Sequence, residues 1–207
     1  MIIINFKNYK LGNKALKLAR KIEKYLPNSI ICPAVIDIEE ISKKTKLKLF
    51  AQSADPIDSE RATGFNTIKA LKEAGAKGIL VNHSEHPLSL SNILKIISLS
   101  KKLGMNSIVC IPSLKNLSSI KNKKPWAIAF EDPKLISTKK SIIQYAPKAI
   151  ENFVKALSRT KIIPICGAGI NSAEDVKQAY SLGCKGVLIA SAIANVKNPD
   201  KLLSKLK

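Results

Sequence analysis

Four polar residues able to move a proton or hold an anion stand where short apolar runs stop. Lys7 follows Ile2-Ile3-Ile4-Asn5-Phe6. His83 and Glu85 follow Gly78-Ile79-Leu80-Val81-Asn82, and Glu131 follows Ala127-Ile128-Ala129-Phe130. A fourth run, Ile162–Cys166, ends in Gly167-Ala168-Gly169. Lysine offers a compact positive charge for a substrate oxygen or phosphate. A short helix beginning at Ser84 would aim free N–H groups at the His83 ring, disfavour its protonation and leave a neutral hydrogen-bond donor. A glutamate closing an apolar run is costly unless it is paired or functional, and burial would raise its pKa toward that of a general base.

Backbone amides around Gly167-Ala168-Gly169-Ile170-Asn171-Ser172, with a second set at Ala190-Ser191-Ala192, suit an anion. The ten residues from Asp132 to Ser141 are polar or turn-prone and read as a lid. A phosphate grip, a neutral electrophile, a carboxylate base, a lysine and a lid amount to apparatus for proton abstraction beside the carbonyl of a small phosphorylated sugar. Two other chemistries use the same residues. Lys7 could form a Schiff base, as in an aldolase or a synthase acting on a phosphorylated sugar. His83, Glu85 and His86 could bind a metal, but Pro87 interrupts the segment and no further ligand motif follows. The expectation is therefore no metal and no cofactor.

These residues need a frame that brings strand ends to one rim. Eight apolar runs are visible: Ile2–Ile4, Ile30–Cys32, Leu47–Ala51, Gly78–Val81, Ser107–Ile111, Trp126–Phe130, Ile162–Cys166 and Gly186–Ile189. Helical periodicity lies between them, as in Ala15, Leu16, Ala19, Ile22 and Leu26; in Leu90, Ile93, Leu94, Ile97 and Leu103; in Val154 and Leu157; and in Val176, Ala179 and Tyr180. Gly75, Gly104 and Gly183 stand where helices stop, and Ser172 with Asp175 resembles a capping box. Strands alternating with helices, each strand apolar throughout, imply parallel βαβ units buried on both faces. The fold expected is α/β, a single (β/α)8 barrel spanning residues 1–207, with a doubly wound open sheet as the competitor. The stretch Leu71–Val81 is echoed at Ala179–Ile189, four units later, which favours the barrel. In a barrel the residues after each strand form the active face, so all the polar stretches converge there.

Composition adds limits. The chain has 207 residues, 45% of them hydrophobic, and a formal net charge of +20. Arginine occurs only at Arg20, Arg61 and Arg159, and aromatics are 5%, which argues against a nucleic-acid reader and for a lysine-coated, solvated surface. Cys32, Cys110, Cys166 and Cys184 form no Cys-x-x-Cys pair and read as buried reduced thiols. No apolar run reaches the roughly 18 residues of a membrane span, and no signal peptide is visible, so a cytoplasmic protein without membrane partners is expected.

In order along the chain, Ile4-Asn5-Phe6-Lys7, Ala51-Gln52, Asp55-Pro56, Asn82-His83-Ser84-Glu85, Glu131 to Ile136, Cys166-Gly167-Ala168-Gly169-Ile170 with Glu174-Asp175-Val176, and Gly186 to Ser191 resemble the triosephosphate isomerase family in its short, archaeal-type form. The resemblance implies a TIM barrel that interconverts triose phosphates, with Lys7, His83 and Glu131 catalytic and Glu85 supporting Lys7. It implies substrate contacts from Asn5, Phe6, Lys7, Ile136, Gly169, Ala190 and Ser191, and self-association as a homodimer or homotetramer. Two departures stand out. The family's lid glycines are replaced by Ser137 and Lys139. Ala192 stands where relatives carry glycine, at a cost of roughly 1 kcal/mol if a left-handed backbone is required.

Overall fold

The computed structural model describes residues 1–132 and 141–207. Eight parallel strands close on themselves in sequence order: β1 (Ile2–Asn5), β2 (Ile30–Cys32), β3 (Lys48–Ala51), β4 (Gly78–Val81), β5 (Asn106–Ile111), β6 (Ala127–Phe130), β7 (Ile163–Cys166) and β8 (Gly186–Ile189). Each lies within one residue of its sequence expectation. The seam is β1 against β8, with Ile2, Ile3 and Ile4 opposite Val187, Leu188 and Ile189. Among the described residues the sheet is closed, not open.

The helices on the outside are α1 (Asn13–Tyr25), α2 (Ile38–Lys44), α3 (Ile68–Glu73), α4 (Leu90–Lys102), α5 (Leu117–Asn122), α6 (Ile142–Tyr145), α7 (Pro147–Leu157), α8 (Ala173–Ser181), α9 (Ser191–Ala194) and α10 (Asp200–Lys205). The stripe Ala15, Leu16, Ala19 and Ile22 is buried as its spacing requires. Gly75, Gly104 and Gly183 adopt positive φ of 103°, 68° and 94°, the left-handed stop for which glycine is suited. Tyr180 departs from expectation. It is 40% exposed, and its hydroxyl accepts a hydrogen bond from the amino group of Met1, so α8 turns that residue outward.

Continuous apolar strands serve two cores because neighbouring side chains point to opposite faces. Ile3, Phe50, Leu80, Ile108, Ile165 and Leu188 fill the barrel interior. Ile4, Leu49, Ile79, Val109, Ile128 and Val187 meet the helices. Burial of such side chains stabilises by about 1.5–3 kcal/mol each. An exposed pair such as Lys44–Glu40 contributes about 0–1 kcal/mol. Apolar burial therefore holds the barrel, and most surface lysines merely solvate it. No helix among the described residues is long and apolar enough to cross a membrane.

Candidate active site

The strand ends gather the expected groups. Asn5, Lys7, His83, Glu131, Gly169, Ala190 and Ser191 line one cleft at the carboxyl ends of the strands, together with Ala168, Ile170, Asn171 and Leu188. Phe6 is not among them. It is fully buried in the helix-facing core, where it fixes the end of β1 instead of facing the cleft. Ile136, Ser137, Lys139 and most of the expected lid lie outside the described residues.

Lys7 is held in a conformation that few L-residues adopt, with φ of 46°. Its N–H donates to Asn5 Oδ1 at 2.9 Å, and its carbonyl accepts from Gln52 Nε2 at 2.9 Å. Gln52 also donates to the carbonyl of Cys32 at 3.0 Å, so it pins the β1 loop to the end of β2. The Lys7 ammonium forms a salt bridge with Glu85. Its own side chain is 10% exposed and that of Glu85 is 54% exposed, which places the charge inside and its partner at the rim.

No helix begins at Ser84. The segment is a turn closed by His86 N–H donating to the His83 carbonyl at 2.8 Å. The turn instead directs one backbone amide at the ring. The N–H of Glu85 donates to His83 Nδ1 at 3.2 Å, so Nδ1 is the acceptor and the ring proton sits on Nε2. Nε2 in turn lies 4.0 Å from Glu131 Oε2. An N–H donor thus stands beside a carboxylate.

Glu131 is 5% exposed, and its Oε2 is buried without a hydrogen-bond partner among the described residues. Burial pushes its carboxyl up from the usual range. The charge of His83, a hydrogen bond with the Cys110 thiol and the charge of Lys7 pull it down, and Glu85 pushes it up slightly. Burial is the largest of these effects. A desolvated carboxylate with one oxygen unpartnered is poised to take a proton.

Gly167 faces Glu131 across the β6–β7 gap, and Ala168 and Gly169 follow with φ of 69° and 71°. The carbonyl of Ala168 accepts from Ile142 N–H at 3.1 Å, which ties this loop to the start of α6. The capping box at α8 is complete, and it alters the anion site. Asp175 Oδ2 accepts from the amides of both Asn171 and Ser172 at 3.0 Å, so those two N–H groups serve the helix rather than a ligand. At β8 the first-turn amides of Ser191 and Ala192 in α9 have no intrahelical acceptor. Ala192 sits in that helical turn and not in a left-handed conformation, so the expected penalty does not arise.

Gln52 and Cys110 carry no signal of these roles in the sequence, because each acts on a residue far along the chain, whereas Asp175 lies three residues from Ser172 and is legible as its capping partner. Among the described residues no group of three or more His, Cys, Asp or Glu is placed to hold a metal ion.

The family model for triosephosphate isomerase matches residues 1–206. The chain belongs to the triosephosphate isomerase family. It is 38% identical to the triosephosphate isomerase of Methanothermus fervidus, over 100% of this chain and 96% of that protein. It is 37% identical to that of Saccharolobus solfataricus, over 98% and 92%, and 34% identical to that of Methanocaldococcus jannaschii, over 100% and 98%. The crystal structure of triosephosphate isomerase from Bartonella henselae superposes with a TM-score of 0.71 at 19% identity, covering 94% of each chain, and shares the fold. A carboxylate base paired with a neutral histidine is the established pattern of triosephosphate isomerases and not a finding of ours.

Proposed function

We propose that this single-domain barrel interconverts D-glyceraldehyde 3-phosphate and dihydroxyacetone phosphate, with each step assigned to a residue of the cleft. Glu131 takes a proton from the carbon beside the carbonyl and returns it to the neighbouring carbon. His83, donating through Nε2, stabilises the oxygen on which negative charge develops in the enediolate and passes the hydroxyl proton from one oxygen to the other, and the Lys7 ammonium adds to that stabilisation. Asn5 fixes the loop that carries Lys7, and Glu85 orients the ammonium. Amides at Gly169, Ala190 and Ser191, with Ile136 of the lid, take the phosphate. The reaction needs no cofactor, because the proton stays with one carboxylate and no electrons leave the substrate.

The observation that carries this reading is the approach of His83 Nε2 to the unpartnered Oε2 of Glu131 at 4.0 Å, with Nδ1 already occupied. The test is turnover of glyceraldehyde 3-phosphate by the wild-type protein beside Glu131→Gln. Rapid turnover that the substitution lowers by about 10²–10⁴-fold is expected. Equal turnover in both, or a lysine imine trapped by borohydride, overturns the assignment.

We infer also that the chain self-associates as a homodimer or homotetramer through the face beside Lys7. Leu11, Val35 and Ile36 are exposed there at 43%, 41% and 75%, and the amide of Gly12 donates to Asp37, which brings the two loops together. Four free, buried cysteines support a reducing, cytoplasmic setting. Analytical ultracentrifugation of the wild type beside Ile36→Lys tests the interface, and an unchanged assembly would rule it out.

A further inference from the structure

Lys10, Lys14, Lys17 and Lys21 recur at spacings of four, three and four residues. The last three share one face of α1. That face forms one wall of a cleft of about 430 Å³, and the opposite wall is the segment carrying Val196, Lys197 and Pro199. Five ammonium-bearing side chains line this concavity with Leu18, Val196 and Pro199, and no carboxylate does. Lys21 has a partner at the edge, Asp200, at 3.0 Å. Among the described residues Lys10, Lys14, Lys17 and Lys197 have none.

Helix physics does not ask for this arrangement. α1 has no acidic residue in its first turn and no side-chain cap, so Lys14 occupies ground where the helix dipole favours an anion. Lys14, Lys17 and Lys21 also repel one another at three- and four-residue spacing. The neighbouring α2 avoids that conflict by setting Lys43 and Lys44 four residues after Glu39 and Glu40. The lysine coat is thus neutralised on α2 and left open on the wall of the cleft.

We propose that this cleft binds a condensed phosphate, an anion with two or more linked phosphoryl groups, free or as the tail of a nucleotide. Lysine ammonium groups are point charges with several donors and suit phosphoryl oxygens without a fixed fork geometry. A single phosphate would satisfy only part of the wall, whereas linked phosphoryl groups spread charge along it. No aromatic side chain lines the cleft, so there is no stacking platform of the kind that single-stranded nucleic acid uses. The site is distinct from the catalytic cleft, with which it shares no lining residue.

The experiment is calorimetric titration of tripolyphosphate into the full-length protein, beside Lys14→Glu/Lys17→Glu and a control, Lys48→Glu/Lys77→Glu, at the amino ends of β3 and β4. Each substitution removes two units of charge, so both double variants fall from +20 to +16. At ~0.1 M salt one equivalent is expected to bind, about ten-fold more weakly to the α1 variant and within about two-fold of wild type to the control. Unchanged isomerase turnover in the α1 variant shows that it folds and that the catalytic cleft is intact. Metal-free ATP and AMP separate the sources of the ligand. Equal binding of tripolyphosphate and ATP means that phosphates alone are read, tighter binding of ATP adds the apolar residues, and either supports the site. Equal weakening in both variants overturns it. So does AMP binding as tightly as tripolyphosphate, more than one equivalent bound, displacement by saturating triose phosphate, or tighter binding of an oligouridylate of equal charge.

Discussion

A methyl group at position 167 would stand 2.5 Å from Oε1 of Glu131 and 3.0 Å from its Cδ, so the bare backbone of Gly167 is what leaves room for the carboxylate. Gly167→Ala must push the base aside or shift β7. A displacement near 1 Å at a reacting group costs on the order of 10²-fold in rate, and kcat is expected to fall by about that much while the barrel stays folded. Steady-state kinetics with a thermal melt checks it. Turnover within two-fold of wild type would mean that the carboxylate has slack that the contact distances deny.

Glu131 should weaken the fold that holds it. Its folded pKa lies above its unfolded value because burial disfavours the charged form. The stability associated with the neutral form is fully present below the ordinary carboxyl value and is lost as pH rises through the folded value. Glu131→Gln, neutral throughout, is therefore expected to melt above wild type at pH 7, with the gap closing as pH falls below the ordinary glutamate value of 4.5. Melting curves at several pH values decide it, and a gap that widens in acid would contradict the sign.

Glu85 acts on two groups at once. It pairs with Lys7, and its charge raises the carboxyl of Glu131. Glu85→Gln should raise KM several-fold, on the order of the 1 kcal/mol or so that an exposed partner contributes. It should also move the acid limb of the kcat/KM profile to lower pH, since one term raising Glu131 is gone. A limb that moves upward, or does not move, would detach Glu85 from the base.

Gln52 restrains the left-handed backbone of Lys7. Gln52→Leu leaves the Lys7 carbonyl without its donor, while the Cys32 carbonyl keeps the Phe6 amide at 2.9 Å. One lost partner on a part-buried acceptor costs about 1–3 kcal/mol. The expected outcome is a loss of stability in that range together with a rise in KM, and restoration of part of both by Gln52→Asn would tie the effect to the amide. Loss of stability with unchanged KM would assign Gln52 to the fold alone.

The strand ends were legible because a parallel strand buried on both faces is apolar until it stops, so Asn5, Glu131 and the Asn82–His83 pair announce the rim. The long helices showed for a similar reason: thirteen residues in α1 and in α4 give several turns of period. Helices of four to seven residues such as α2, α3 and α9 complete too few turns to leave a periodic signature. What stayed hidden was reciprocal. Gly167 looked like part of an anion loop, and its steric relation to Glu131 exists only once β6 and β7 are paired. Asn171 looked like a free donor, and only the folded loop shows that Asp175, legible as the cap partner of Ser172, takes the Asn171 amide as well. Ala192 looked like a strained replacement, and the start of α9 gives it an ordinary helical backbone.

The seam between β1 and β8 has a consequence for biosynthesis. β1 leaves the ribosome first, and its second edge waits for β8, about 185 residues later by the pairing of Ile2 with Val187. At translation rates of roughly 5–20 residues per second that wait lasts roughly 10–40 seconds. Throughout it Ile2, Ile3 and Ile4 present an unpaired apolar edge, the feature most prone to pairing with a strand of another nascent chain. Nascent chains of this barrel are therefore most exposed to aggregation until the last tenth of the sequence is made.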